Sequence, residues 1–307
     1  MDIRNCLFKF VNLRKTGNQI YTLKNLKENE LYCQYFSDYN DPYESHFGMF
    51  AKWPCPYKET EKLRSLIEKI DPKNSKHTTN SIESMRRFIH LNQHLSDTGL
   101  KFAEELTHTF RVCSFTRRWN DILMWGHYGD GMRGVVLVFD PKELKRINSS
   151  RLVHDPNVKV GVESVDLRWV TYSRKIPTIN SVGFLEAARV FSREDANKFS
   201  DKLLEVCALT KLHKWRYEQE TRLIVGCDSD YEVKPIMAKY NSEALKGVII
   251  GNKLSKEQVL QVAKSLPENR KMYTIRQNPR KYKLEIANVY SAKDVVRNGG
   301  LENLLHQ

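Results

Sequence analysis

Residues 134–139 read GVVLVF, a nearly continuous apolar run that stops at Asp140. A run this short and this rich in β-branched residues is typical of a strand that is buried on both faces. The run therefore predicts an inner strand of a sheet, around which the rest of the chain is packed.

A short helix is predicted immediately before this strand. Asn120 or Asp121 can cap it, and Trp125 and Tyr128 then fall on adjacent turns. Residues 111–116 predict another strand upstream, so strand, helix and apolar strand form one unit. Aromatic side chains at helical spacing belong to a core more often than to a cofactor site, so Trp125 is expected to pack in the interior.

The rest of the chain contains strand and helix patterns without an internal repeat or a low-complexity linker. Strand patterns occupy residues 7–11, 31–36, 160–172, 245–251, 272–277 and 284–289. Helix patterns occupy residues 21–29, 142–148, 180–214 and 255–265. The sequence predicts one α+β domain over residues 1–307, with a helical insertion at about 58–110 and a C-terminal α/β extension at about 245–307.

Residues 215–226 read WRYEQETRLIVG and combine a strand pattern with three alternating charges. Because side chains alternate along a strand, Glu218, Glu220 and Arg222 are expected to share one face. Two carboxylates and a guanidinium on one face form either a solvated sheet edge with a paired arginine or a functional site.

The chain carries a large excess of positive charge. Fifty Lys and Arg residues against thirty-seven Asp and Glu residues give a formal net charge of +13. This excess favours an anionic partner such as nucleic acid, although an ordinary basic surface fits it equally well. A hydrophobic content of 40% and an aromatic content of 10% exclude a largely disordered chain.

Six cysteines are scattered without any C-x-x-C pair, which indicates neither a disulfide framework nor a zinc ribbon. They are typical of reduced cysteines in a cytosolic protein. The sequence shows no secretory signal and no apolar window long enough to cross a bilayer. We therefore expect a cytoplasmic protein without a membrane partner.

Five segments, taken in order, resemble the hallmark series of an uncharacterised bacterial domain family. They are residues 40–44 (NDPYE), 113–116 (CSFT), 124–128 (MWGHY), 134–139 (GVVLVF) and 215–222 (WRYEQETR). The resemblance covers most of the chain, and it implies no settled activity.

A more distant resemblance is to ADP-ribosyltransferases, notably the bacterial toxins that ADP-ribosylate nucleic acid. It rests on the order of a strand with Ser114, a short helix with Tyr128, an apolar strand, a long helical region and a strand beginning Glu218-x-Glu220. This resemblance implies a split β-sheet core with helical insertions, and NAD as a substrate. The first strand of that fold usually presents His or Arg to NAD, and Lys9 takes that place here.

The resemblance to ADP-ribosyltransferases also implies roles for individual residues. Glu220 is expected to stabilise the positive charge that develops on the ribose in an oxocarbenium-like transition state, and Glu218 to accept a proton from the acceptor. Tyr128 completes the catalytic set, and Arg222 is expected to keep the two carboxylates ionised. The implied NAD-binding residues are Lys9, Phe10, Asn40, Asp41, Ser114 and Tyr128.

Together these expectations describe an NAD-dependent ADP-ribosyltransferase that modifies nucleic acid, with RNA favoured over DNA. Such an activity would harm its own cell. We therefore expect a toxin of a toxin–antitoxin or phage-defence system, with an antitoxin protein as a further partner.

Two alternatives stay open. A basic domain could bind RNA or DNA without NAD chemistry, with the late glutamates paired structurally. A metal-dependent nuclease could instead use Asp41, Glu44 and those glutamates. His90 and His94 have i, i+4 spacing, but the sequence offers no further ligands, and no metal site is predicted.

Overall fold

The structure is a computed structural model that describes residues 3–17, 19–35, 39, 41–44, 48–50, 68, 73, 110–180, 204–206, 208–227 and 234–305. Its strands are β1 Leu7–Val11, β2 Glu30–Cys33, β3 Gly48–Phe50, β4 Phe110–Thr116, β5 Val135–Phe139, β6 Ser149–Leu152, β7 Lys159–Val160, β8 Val162–Trp169, β9 Thr171–Ser173, β10 Thr178–Asn180, β11 Thr210–Leu212, β12 Glu220–Cys227, β13 Ile236–Lys239, β14 Leu245–Ile250, β15 Lys271–Gln277 and β16 Leu284–Ser291. Its helices are α1 Tyr21–Glu28, α2 Ile122–His127, α3 Pro141–Leu144, α4 Lys256–Ala263, α5 Ala292–Arg297 and α6 Glu302–Leu305, with 3-10 turns at Asp130–Met132, His213–Glu218 and Ser242–Ala244.

The chain divides into two compact units. The first consists of Met1–Tyr35, Phe110–Val170 and Lys214–Gln307, and the second of Phe36–Thr109 and Thr171–His213. In the second unit, β3 pairs with β10 and β9 pairs with β11, both in parallel. The single domain expected over residues 1–307 stays a prediction.

An eight-stranded sheet forms the centre of the first unit. Its strand order is β16-β15-β14-β5-β1-β4-β12-β8, and every neighbouring pair is antiparallel except the parallel pair of β14 and β15. All five residues of β5 are buried, which confirms the inner strand predicted from the apolar run. The fold is thus mixed α/β with a large mixed sheet.

Each face of this sheet carries its own hydrophobic cluster. Because side chains alternate along β1, Phe8 and Phe10 point to the same face of the sheet, where they pack in a cluster with Trp125. We call this side of the sheet the Trp125 face. Leu7 and Val11 point to the other face, where α4 and α5 add their buried side chains to the larger cluster. The two faces therefore offer different surroundings to neighbouring residues of one strand.

Helix caps form at the positions that the sequence predicts. The Asp121 carboxylate accepts hydrogen bonds from the backbone N–H groups of Leu123 and Met124, and α2 follows it. Ser255 and Gln258 form a reciprocal capping box at the start of α4. The helix α1 at Tyr21–Glu28 also matches its predicted span.

Several elements differ from the sequence-based prediction. A second sheet has the strand order β2-β13-β6-β7, and its strands β6 and β13 were not predicted. Both are only four residues long, and β6 also carries three polar residues. The predicted C-terminal extension is continuous with the large sheet, because β14 pairs with β5. Most of the helical insertion predicted at about 58–110 and most of the helical region predicted at 180–214 lie outside the described residues. Within the described part of the chain, no helix combines the length and the apolar character needed to cross a membrane.

Candidate active site

Two neighbouring strands bring Ser114, Glu220 and Arg222 together on the Trp125 face. In the antiparallel register of β4 and β12, Glu220 lies opposite Thr116 and Arg222 lies opposite Ser114. Thr116 is also opposite Phe8 of β1, which assigns this set to the Trp125 face. The strand register thus places three polar side chains beside an aromatic cluster.

Glu220 accepts hydrogen bonds from both of these neighbours. The Ser114 hydroxyl donates to Glu220 Oε1 over 2.5 Å, and Arg222 Nε donates to the same oxygen over 2.9 Å. Arg222 Nη2 donates to Glu220 Oε2 over 3.2 Å. Glu220 is 3% exposed and Arg222 is fully buried, so this is a buried ion pair with a third, hydroxyl donor.

Glu218 does not share the strand face that the alternation predicts. It ends the 3-10 turn His213–Glu218, and β12 begins only at Glu220. Gln219 between them has a φ of +42°, a left-handed conformation that interrupts the extended backbone. The expectation that Glu218, Glu220 and Arg222 lie along one strand was therefore wrong for Glu218.

Glu218 instead contacts Tyr128. The Tyr128 hydroxyl donates to Glu218 Oε1 over 2.5 Å, and the Glu218 side chain is buried. Tyr128 is the C-cap residue that directly follows α2. The Asp121 cap and the hydrogen bond from Trp125 Nε1 to the Trp119 carbonyl, at 2.8 Å, fix this helix. Trp125 packs in the core, as the sequence predicts.

Three aromatic rings, those of His127, Tyr217 and Trp215, lie next to one another near this pair, and none of them was predicted as a site residue. The Tyr217 ring lies 6.1 Å from the rings of both His127 and Trp215, measured between centroids. Burial, followed by the negative charges of Glu218 and Asp121, raises the pKa of Tyr217 to about 12. The alternation of aromatic and charged residues in WRYE was the signal that could have indicated them.

Lys9 and Phe10 lie on opposite faces of the sheet. The Phe10 ring packs edge-on to Trp125 at 5.2 Å, on the face that carries Ser114. Lys9 alternates with it to the other face, although Lys9 Nζ donates to the Ser114 backbone carbonyl over 3.3 Å. The Cys113 thiol lies on the same face as Lys9. Burial raises the pKa of this thiol, but a hydrogen bond with Cys33 and the positive charge of Lys9 outweigh the effect of burial and lower the pKa to about 6.

The remaining predicted site residues belong to the second unit or are not described. Asn40 lies outside the described residues. Asp41 is buried in the second unit, where its Oδ1 accepts a hydrogen bond from the Tyr43 N–H over 3.0 Å. Among the residues that the structure describes, no group of three or more His, Cys, Asp and Glu side chains is arranged to hold a metal ion, and His90 and His94 are not among them.

Part of the chain is similar to a protein family of unknown function. Residues 124–223 match the model described as "Protein of unknown function (DUF2971)". The DUF2971 match includes Tyr128, Glu218, Glu220 and Arg222, and it agrees with the resemblance to an uncharacterised domain family. No curated protein and no solved structure matches the chain. No resemblance to ADP-ribosyltransferases emerges from these comparisons.

Proposed function

We propose that the protein is an NAD-dependent ADP-ribosyltransferase that modifies nucleic acid, with RNA ahead of DNA as the acceptor. The observation that carries the proposal is the 2.5 Å hydrogen bond between Ser114 on β4 and Glu220 on β12. A serine-bearing strand and a late glutamate are the elements that the resemblance to ADP-ribosyltransferases links to catalysis. A split, transferase-like sheet core is part of the same proposal.

Glu220 is the residue proposed to stabilise the transition state. Transfer of ADP-ribose breaks the bond between nicotinamide and ribose, and positive charge develops on the sugar. A carboxylate whose orientation is already fixed lowers the energy of that state without a further reorganisation cost. Ser114 and Arg222 fix Glu220 in this way, and the low exposure of the pair strengthens its electrostatic effect.

Glu218 and Tyr128 are proposed to act on the acceptor. A general base has to lie within hydrogen-bonding distance of the proton that it removes. The Tyr128 hydroxyl already donates to Glu218 Oε1, and Tyr128 is only partly buried. An acceptor hydroxyl that approaches Tyr128 can therefore pass its proton to Glu218, directly or through the phenol.

The residues around Glu220 fit NAD in part. Glu220 offers a carboxylate for a ribose hydroxyl, and the partly exposed Tyr217 ring offers a flat surface for nicotinamide. Arg118 lies two residues after the end of β4 and is exposed, so it can supply the positive charge that a pyrophosphate requires. Lys9, the first-strand residue expected in this role, lies on the opposite face of the sheet. NAD supplies the ADP-ribose group that is transferred.

One observation favours a different function. Glu220 and Arg222 are among the most buried charged residues of the first unit, as a purely structural ion pair would be. In that case the basic chain is a nucleic-acid-binding module without NAD chemistry. The two functions differ in whether label passes from NAD to an acceptor.

The test uses labelled NAD with total RNA, DNA or protein lysate as acceptor. We expect wild type to label RNA most strongly, and Glu220→Gln to reduce labelling by about a hundredfold or more. Glu218→Gln should retain more cleavage of NAD than transfer to the acceptor. Glu163→Gln removes an exposed carboxylate on β8 and serves as the matched control, with labelling equal to wild type.

Circular dichroism of each variant confirms that it is folded before labelling is compared. Equal labelling by wild type and Glu220→Gln, or no labelling by folded wild type, contradicts the transferase proposal. Salt-dependent nucleic-acid binding without any labelling supports the binding module instead.

A toxin role in a toxin–antitoxin or phage-defence system belongs to the same proposal. It rests on the expectation that modified nucleic acid harms the host cell. Growth arrest on expression should disappear with Glu220→Gln. Arrest that persists with Glu220→Gln indicates toxicity through binding.

A further inference from the structure

A groove of about 580 Å³ lies in the first unit, and none of the proposed catalytic residues lines it. One wall is the loop between β15 and β16, residues 277–284. The turn Asn252–Lys253 after β14 also lines the groove, and Ile122 and Met132 add apolar surface. The groove thus combines a polar, basic wall with a small apolar surface.

Hydrogen bonds fix the conformation of the loop. The Asn278 N–H donates to the Lys283 carbonyl over 2.8 Å, and Asn278 Oδ1 accepts from the Arg280 N–H over 2.9 Å. Asn278 Nδ2 donates to Glu285 Oε1 over 2.9 Å, which ties the loop to β16. The loop is therefore ordered before a ligand arrives, which lowers the entropic cost of binding.

The loop presents an aromatic ring and several cations to solvent. Tyr282 is fully exposed, which is unusual for a large ring on a structured loop. Arg280, Lys281 and Lys283 are exposed beside it, and the exposed Lys253 also lines the groove. No acidic side chain lines the groove, and none of these four cations forms an ion pair with another residue that the structure describes.

We propose that this groove binds a single-stranded polynucleotide, with one base stacked on Tyr282 and the backbone phosphates paired with the surrounding cations. Aromatic stacking combined with a positively charged groove is the chemistry by which proteins hold single strands. A ring at the tip of a loop can stack only on an unpaired base, since the bases of a duplex are already stacked on each other. The groove therefore favours a single strand over a duplex.

The groove shares a helix with the proposed active site. Ile122 lines the groove and begins α2, and Tyr128 caps the C-terminus of the same helix and contacts Glu218. Tyr128 lies six positions after Ile122, which corresponds to roughly 9 Å along a helix axis. The proposal that the bound strand is the acceptor rests on the proposed transferase function, but binding in the groove does not.

The test measures binding of short labelled oligonucleotides by fluorescence anisotropy, without NAD. Tyr282→Ala should weaken binding of single strands about tenfold through lost stacking, while Tyr282→Phe keeps it. The triple variant Arg280→Ala, Lys281→Ala, Lys283→Ala should reduce the slope of log Kd against log salt by roughly two. The matched control removes three exposed lysines outside the groove, Lys27, Lys142 and Lys239, and should change the slope much less.

A comparison of RNA with single-stranded DNA oligonucleotides shows which kind of nucleic acid the groove prefers. Equal affinity means that bases and phosphates suffice, and tighter binding of RNA means that the groove also contacts the 2′-hydroxyl. The proposal is overturned if Tyr282→Ala binds as tightly as wild type, if the two triple variants behave alike, or if duplex binds more tightly than single strand. Because binding is measured without NAD, a failed transferase test leaves this result unaffected.

Discussion

At the scale of single residues, the ion pair of Glu220 and Arg222 contributes to the stability of the fold and orients the carboxylate proposed to act in catalysis. Removing two ions from water costs several kcal/mol for each ion, and the pair offsets that cost through its two hydrogen bonds and the Ser114 hydroxyl. Loss of one partner leaves a buried charge without its counter-ion. A substitution of one partner should therefore lower the stability of the protein more than the removal of both charges.

We expect Arg222→Met to lower the free energy of unfolding by about 3–5 kcal/mol, because Glu220 then stays buried without a guanidinium. The double variant Arg222→Met with Glu220→Gln should be less destabilised than Arg222→Met alone. Urea unfolding of wild type, both single variants and the double variant gives the coupling energy. If the losses from the two single variants simply add in the double variant, the two side chains do not interact as the structure describes.

At the scale of elements, the junction between the 3-10 turn and β12 controls where Glu218 lies. The positive φ of Gln219 directs the chain out of the strand, so Glu218 meets Tyr128 while Glu220 stays on the sheet. Left-handed backbone is costly for side chains that branch at Cβ and costs glycine little. The junction should therefore respond differently to these two residue types.

Gln219→Val should lower the free energy of unfolding by about 1–2 kcal/mol, because valine resists the left-handed conformation. Gln219→Gly should leave stability within about 1 kcal/mol of wild type, since relief of strain offsets the added freedom of the unfolded chain. Thermal unfolding of both variants makes the comparison. Equal stability of the two variants contradicts a left-handed Gln219.

This junction also shows where prediction from sequence stopped. Period-two alternation predicted Arg222 and Glu220 on one face correctly, because both lie within β12. It failed at Glu218, because a single left-handed residue shifts the pattern and glutamine is not a residue type that signals such a conformation. The contact of Tyr128 with Glu218 joins positions 90 residues apart, and side-chain spacing within one element carries no information about it.

A second element, the turn Ser242–Ala244, is tied to the start of β15 by an ion pair that depends on pH. Arg270 Nη2 donates to Glu243 Oε1 over 2.7 Å and to the Ser242 carbonyl over 3.0 Å. The hydrogen bond and the charge of Arg270 hold the pKa of Glu243 below its usual value of 4.5. The carboxylate of Glu243 therefore binds a proton less tightly in the folded state than in the unfolded state.

The stabilisation from this pair is present above pH 4.5 and is lost as the pH falls through the lowered pKa of Glu243. We expect the free energy of unfolding of wild type to fall more steeply below pH 4.5 than that of Glu243→Gln. Chemical denaturation at a series of pH values measures both slopes. The effect should be small, since the Glu243 side chain is largely exposed, and added salt should reduce it further. Parallel slopes would mean that Glu243 has no folded partner.

At the scale of the whole molecule, the sequence predicted most elements of the large sheet but not their order. The apolar run of β5, the strand β1 and the capped helices α2 and α4 carry local patterns that determine their type. Strand order depends on contacts between distant segments, such as the pairing of β14 with β5, which local patterns do not encode. For that reason the strands after residue 244 were predicted as an extension, although they complete the sheet.

Truncation after Ala244 tests this role of the C-terminal strands. The fragment lacks β14, so β5 loses a neighbouring strand, and the fully buried Val248 and Ile249 are no longer present to cover the core. We expect it to lose cooperative unfolding and the hydrogen-exchange protection of the β1 and β5 amides. Truncation after Leu301 removes only helix α6, in which Glu302 and Asn303 are exposed and Leu304 is partly buried, and the last two residues. It should therefore retain both properties and serves as the control. A cooperative, protected fragment ending at Ala244 would instead mean that β1, β4, β5, β8 and β12 form a self-sufficient core, to which the later strands are an addition.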